Sequence, residues 1–326
     1  MEILKHISLL LLPLVLTGCY EEFDPATDTE SVLCINSLIT AGEPVEVEVT
    51  HTWMYNNAME QYDHSVDDAV ISVYANGELQ DAAYIPAEGD NIRIVAQSRK
   101  YGSAEASVTV PKAVPVASVE FIPEILSKST GGILHLAMYG SMSFNMRIKL
   151  TIDDTDTANN YFELGGVLQA PREDWDAPYS WINLGTFDLN VEPIFKEHIG
   201  VFESLFGEDS DALLVFSDRQ FAGKSYTLNL QFNDAYYYLS SQEYNECNYD
   251  FSLVFSLASI SQSYYDRSMY VWQTDSGILG DLGDLGFAEP LWGYSNVSTG
   301  AGVVMARSIA TYTLSLRDFL KSSMEE

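Results

Sequence analysis

A two-residue period constrains this chain more than any other feature of its sequence. Val45, Val47 and Val49 alternate with Glu46, Glu48 and Thr50, and Ile92 and Ile94 alternate with Arg93 and Val95. Such a period sends successive side chains to opposite faces, so these runs read as strands half buried in a core. Val32–Ile39, Ala69–Tyr74 and Ala104–Val110 extend the series. Ala41-Gly42-Glu43-Pro44 marks a turn between the first two runs, and Asn76-Gly77 is a hairpin dipeptide that returns the chain through 82–85. Pro111 and Pro115 punctuate the end of the series. About seven short strands at regular spacing predict an immunoglobulin-like β-sandwich over residues 32–112.

A second β-rich region follows over 113–326. Strands are expected at 118–122, 133–139, 146–152, 161–168, 212–217, 224–232, 251–260, 302–307 and 310–316. Ile194, Phe195, Ile199 and Phe202 fall near helical spacing behind Pro193, a residue suited to a first helical turn. Ser261–Trp272 reads as a second helix. The expected fold is therefore all-β: an N-terminal immunoglobulin-like β-sandwich, then a larger β-sandwich-like domain with one or two short helices. No repeat of solenoid length interrupts this reading.

The start of the chain differs. Lys5 and His6 precede an apolar run, Ile7–Leu16, too short for a bilayer span of roughly 20 residues. Leu16-Thr17-Gly18-Cys19 closes it in the form of a lipobox. Residues 1–18 are expected to be a lipoprotein signal peptide, Cys19 the lipidated first residue of the mature chain, and 19–31 an acidic tether. Several acyl chains would anchor it stably. The chain has 47 acidic and 16 basic residues, a formal net charge of -31. That balance argues against nucleic acid, whose phosphates need Lys and Arg. It also argues against attraction to anionic headgroups, so attachment to a membrane has to be covalent.

No catalytic constellation stands out. His51, His64, His135 and His198 are far apart in sequence, and no nucleophile elbow, zinc-protease helix or phosphate loop is present. Asp153, Asp154, Asp156 and Asn159 offer oxygens of the kind a hard cation takes, but without EF-hand spacing; a solvated turn is the simpler reading. Asp281 and Asp284 read the same way. Glu173, Asp174 and Asp176 beside Trp175 and Trp181 carry the hydrolase alternative, since glycosidases use paired carboxyls. Cys34 and Cys247 are either buried thiols or, in an oxidising compartment, a disulfide. Asp156-Thr157-Ala158 fits a short O-glycosylation pattern. Trp175, Tyr179 and Trp181 are the candidate ligand contacts, because aromatics in loops make stacking platforms. No metal and no cofactor is expected.

Several segments taken in order resemble one family. They are the lipobox, Val32–Ile39, Asp68–Val73, Val110-Pro111, Phe216-Ser217-Asp218 with Phe221-Ala222-Gly223-Lys224, and Leu257–Ser261 with Tyr264-Tyr265. Glu289-Pro290, Tyr294-Ser295-Asn296-Val297 and Gly300-Ala301-Gly302-Val303 complete them. Together the chain is similar to the Bacteroidota lipoproteins catalogued as domain of unknown function 4249. Ser37 and Thr299 stand where that family often has glycine. Glu21-Glu22 resembles the export signal of surface lipoproteins in the same group. The resemblance implies an outer-membrane lipoprotein, surface-exposed, whose genes commonly neighbour TonB-dependent transporters. It implies no activity and no catalytic residue. The expected function is that of an accessory or ligand-binding partner of such a transporter; a structural or adhesion protein and a carbohydrate-active hydrolase are the alternatives.

Overall fold

Strand β8, Gly140–Asp153, shows the sequence rule at its plainest. Met142, Phe144, Met146, Ile148, Leu150 and Ile152 are all buried, while each residue between them is partly or fully exposed. The computed structural model describes residues 30–52, 64–81, 83–130, 140–156, 158–169, 181–184, 186–188, 191–198, 213–239, 251–275 and 293–325. All but Glu30 and Ser31 of these belong to one compact unit, Val32–Thr52 with His64–Glu326.

The fold is all-β. A six-stranded sheet has the order β12 (Val215–Ser217), β9 (Tyr161–Gln169), β14 (Ser252–Ile260), β15 (Ala301–Ser315), β1 (Leu33–Thr40), β2 (Glu48–His51). A four-stranded sheet joins β4 (Glu78–Leu79), β3 (Val70–Ala75), β5 (Asn91–Ser98) and β6 (Gly102–Thr109). In a third sheet, β10 (Trp181–Asn183), β13 (Ser225–Leu239), β8 and β7 (Val116–Thr130) follow one another, and β11 (Thr186–Asp188) also pairs with β13. Pro123 is accommodated because β7 is an edge strand, where a missing N–H breaks no ladder.

Among the described residues two main cores result, with a small third cluster around Val215, Ala258 and Ile260, and the six-stranded sheet contributes to all of them. The smaller main core gathers Leu33, Ile35, Ile92, Ile94, Ala104 and Val108, with Val304 and Ala306 from the far end of the chain. The larger gathers the inward row of β8 with Phe162, Leu164, Leu253, Phe255 and Leu257. Strand β15 runs through both: Val304 and Ala306 serve the small core, and Leu314 packs against the large one. The sequence boundary at 112 falls between β6 and β7, but β1 and β2 hydrogen-bond into the sheet built mainly from later strands.

Some elements differ from expectation. The hairpin turn at Asn76 and Gly77 has both residues at positive φ (53° and 89°), and its return strand is Glu78–Leu79, not 82–85. Strands expected separately at 302–307 and 310–316 are one. Of the expected helix at 193–206, the described part is a 3-10 turn, Pro193–Lys196; its remainder lies outside the described residues. Helix α1, Gln262–Asp275, matches the second expected helix, and α2, Arg317–Glu325, was not expected. The strand expected at 133–139 lies outside the described residues.

Between the two large sheets an apolar cavity of about 140 Å³ is lined by Leu164, Gly166, Phe187, Leu230 and Phe255 among others. A Cβ at Gly166 would meet only ordinary contact with Phe255, at 3.9 Å. Glycine inside a strand forfeits about 0.5–1 kcal/mol of conformational entropy. Gly166→Ala is therefore expected to raise the urea midpoint by an equivalent amount; a lower midpoint would show the space is not available.

Candidate functional site

Helix α1 lies on the outer face of the six-stranded sheet, away from both cores. Tyr264 and Tyr265 pack there against Val215, Ala258 and Ile260. Its start is fixed by serines: Ser261 Oγ accepts from Ala306 N at 3.0 Å, and Ser263 Oγ donates to the Val304 carbonyl at 2.9 Å. The helix covers only part of that face. Two grooves remain, of about 510 Å³ and 690 Å³. Val215, Trp272 and Glu163 line the first; Leu38, Val47 and Glu48 line the second. Both are bordered by Arg267 and Met305.

Arg267 is the unusual member. Its Nη1 is buried and has no hydrogen-bond partner, and no ion pair joins it among the described residues. Its guanidinium carbon lies 5.8 Å from the Tyr270 ring. Elsewhere basic side chains find carboxylates, as in Arg93–Glu105 at 3.3 Å and Lys149–Glu120 at 2.9 Å. Nearby polar groups are already engaged. Tyr264 Oη donates to Glu163 at 2.9 Å, and burial, then the charge of Glu163, push that phenol up to about 12. On the other flank Asp266 is raised by burial, with Gln262 and Tyr294 opposing. His198 stands edge-on to Trp272, ring centroids 4.4 Å apart.

A second feature lies where the loop after β8 meets the loop after β12. Asp154 and Asp218 are 1% and 0% exposed. Asp154 Oδ1 accepts from Asp156 N at 3.0 Å, but among the described residues Asp154 Oδ2 and both Asp218 carboxyl oxygens receive no donor in good hydrogen-bonding geometry. Burial pushes Asp218 above the usual carboxylate range; the Asp154 carboxyl beside it adds to this, and Asn160 opposes. Glu192, equally buried at 1% exposed, makes the contrast. It accepts from Tyr226 Oη and Asn229 N, each at 2.7 Å, and from Ile194 N at 3.4 Å, as a structural acid should.

The sequence candidates fall as follows. Cys19, Glu21, Glu22, Trp175 and Tyr179 lie outside the described residues, as do Glu173, Asp174, Asp176, Asp281, Asp284, His135, Thr157 and Cys247. Trp181 is placed in β10, its backbone opposite Tyr238, with its side chain outside what is described. Of the acidic turn, Asp153 accepts from Ser225 Oγ at 2.7 Å across the sheet, and Asp154 turns inward; no group of three or more metal-ligating residues forms among the described residues. Cys34 is a free, half-buried thiol, raised by burial with Thr50 opposing. His51 stacks on Tyr101 at 4.4 Å, and His64 lies edge-on to it at 6.2 Å, a pairing that sequence distance hid. Arg267 had no sequence signal beyond its position in a helix beside Tyr264-Tyr265. Asp218 had one, the Phe-Ser-Asp segment.

The family model described as "Domain of unknown function (DUF4249)" matches residues 20–313, so the chain belongs to that family. No curated protein and no solved structure matches it.

Proposed function

We propose that this member of the DUF4249 family is a lipid-anchored outer-membrane protein, displayed at the cell surface, that serves a TonB-dependent transporter by holding a ligand against the outer face of its six-stranded sheet. The observation that carries the binding half is the pair of grooves meeting at Arg267 and Met305. Their walls mix apolar side chains with polar and charged ones, Glu163 and Asp275 in one groove and Asn36, Glu46 and Glu48 in the other, and small-molecule sites are concave surfaces where placed polar groups fix a ligand's orientation. The anchoring half rests on Leu16–Cys19, with Glu21-Glu22 as the outward signal. Among the described residues no helix is long and apolar enough to cross a membrane; in this reading a lipid on Cys19 supplies the attachment. Tethering then raises the local concentration of the body around the transporter without any new contact. Binding alone, with no chemistry on the ligand, suffices for this role.

Crosslinking followed by purification from outer membranes tests the reading. The chain should bring down an outer-membrane β-barrel; recovery of none after crosslinking rejects the transporter role, and capture of matrix material in its place favours adhesion. Cys19→Ala should move the chain out of the membrane fraction. If that variant stays with the membrane, the lipid anchor is wrong.

A further inference from the structure

We propose that the apolar cavity between the two large sheets is a binding site for one small uncharged aromatic ring, entered beside Gly166. It lies across the six-stranded sheet from the grooves at Arg267: on β9, Glu163 lines a groove, while Leu164 and Gly166 line the cavity.

The cavity exists because a side chain is left out. Along β9, Phe162 and Leu164 enter the larger core, and the next position of that row is Gly166. Rows beside and opposite it carry large side chains: Leu253, Phe255 and Leu257 on β14, Leu230 and Phe232 on β13. The space that results is about 140 Å³, in an interior where voids larger than a water molecule are few. Glycine inside a strand marks a bulge, a close backbone neighbour or a place where a ligand approaches. The register of β9 with β14 runs through Gly166 without a bulge. Gly165 answers to a close neighbour, since a Cβ there would strike Ser256 Oγ. A Cβ at Gly166 would meet nothing closer than 3.9 Å, and its φ is not positive. Packing and backbone strain therefore leave Gly166 unexplained, and the ligand remains.

The walls choose the ligand. Every described residue that lines the cavity is Leu, Val, Phe or Gly, so no side chain there offers a hydrogen bond or a charge. A buried water needs two to four polar partners, and a dry apolar cavity of about 150 Å³ accepts benzene. An ionised guest would lose its hydration with nothing to replace it. Phe187 and Phe232 stack with centroids 4.7 Å apart on one sheet, and Phe255 comes from the other. Aromatic walls of this kind favour a ring. A long acyl chain would leave most of its length outside so small a space. Access is also provided. Leu164, Leu230, Leu253 and Phe255 form a buried floor, whereas Gly166 is exposed and Phe187 and Phe232 are half-buried. Strand β12 pairs with β9 only over Tyr161–Glu163, so among the described residues no strand covers the β9 edge beside Gly166.

Fluorine NMR of fluorobenzene with the full-length chain tests this, with benzene, n-hexane and benzoate as competitors. Fluorobenzene should bind saturably and be displaced by benzene, with n-hexane less effective and benzoate at least tenfold less effective. At ten times its Kd, benzene should multiply the folded-to-unfolded ratio about elevenfold and so raise the urea midpoint. Gly166→Leu fills the space and should weaken fluorobenzene at least tenfold. Should that variant not fold, Gly166→Ala should fold at least as stably as wild type and still weaken binding about threefold. No saturable binding by the folded chain overturns the inference. Binding that the folded Gly166 variants leave intact places the probe elsewhere and overturns it too. Benzoate competing as well as benzene overturns the dry cavity, and n-hexane competing better than benzene overturns the ring.

Discussion

Gly302→Ala is expected to destabilise the protein by on the order of 3 kcal/mol, a large part of the roughly 5–15 kcal/mol that holds an ordinary domain. Two independent costs combine. Gly302 has a φ of +102°, a region that side chains rarely enter. Its added Cβ would also sit on the Ile35 carbonyl oxygen and within 2.8 Å of the Ile35 carbonyl carbon and nitrogen. Those atoms are backbone of β1, buried in the parallel ladder where Gly302 is the register partner of Ile35, so they cannot swing aside as a side-chain tip would. Neighbouring contacts leave little slack: Val303 N donates to Asn36 Oδ1 at 3.1 Å, and Ser295 Oγ donates to the Gly302 carbonyl at 2.8 Å. Urea denaturation with Gly166→Ala as the control for a strand glycine checks it. A loss within about 0.5 kcal/mol would mean that β1 and β15 do not approach as closely as the register requires.

The same strand explains which parts of the fold were legible. Alternation located β5 and β6 closely, because each has one buried face, and β14 was located by its largely apolar run, which is buried along most of its length on both faces. Alternation stopped short at places where a polar residue has a private partner. Ser308 looked like a break between two strands, yet its Oγ donates to the Pro111 carbonyl at 2.6 Å and it is buried within one continuous β15. Asn233-Asp234 read as the end of β13. Asp234 instead takes a φ of 58° in a bulge, its N–H donating to Asn145 Oδ1 at 3.0 Å, and pairing resumes at Ala235. The parallel pairing of β1 with β15 joins segments some 267 residues apart, as the Val303–Asn36 bond records. No local pattern encodes such a partner.

The family segments, by contrast, were visible but silent about their purpose. Asn296 uses its side chain as a short stretch of strand, donating to the Val304 carbonyl at 2.8 Å and accepting from Val304 N at 2.9 Å. Gly300 and Gly302 let β15 close on β1, and Ser261 and Ser263 pin α1 to β15. These residues build the platform on which Arg267 stands. The candidate site itself was not legible, because it is assembled from β1, β2, β9, β12, β15 and α1, segments far apart in the chain. An arginine in a polar helical stretch looks solvated until the fold is known, just as Asp154 looked like part of a solvated turn until Asp218 was placed against it.

That carboxyl pair gives the second large effect. Asp218→Asn is expected to stabilise the protein at pH 8 by on the order of 1–3 kcal/mol and to change little near pH 4. The folded state holds the Asp218 proton more tightly than the unfolded chain does, because burial and Asp154 both disfavour its charge. The associated stability is fully present below the unfolded value of about 3.9 and is lost as pH rises through the raised folded value. Above that point the wild type buries two like charges side by side, which the N–H groups of Asn160 offset only in part. Asparagine removes one of the two like charges and keeps the volume. Self-repulsion of the acidic surface also lowers stability with rising pH, but it acts on both proteins and cancels in their difference. Denaturation curves at several pH values between 4 and 8 therefore isolate the pair. Parallel wild-type and variant profiles would show that Asp218 carries no displaced proton, and the carboxyl contact would then have to be abandoned.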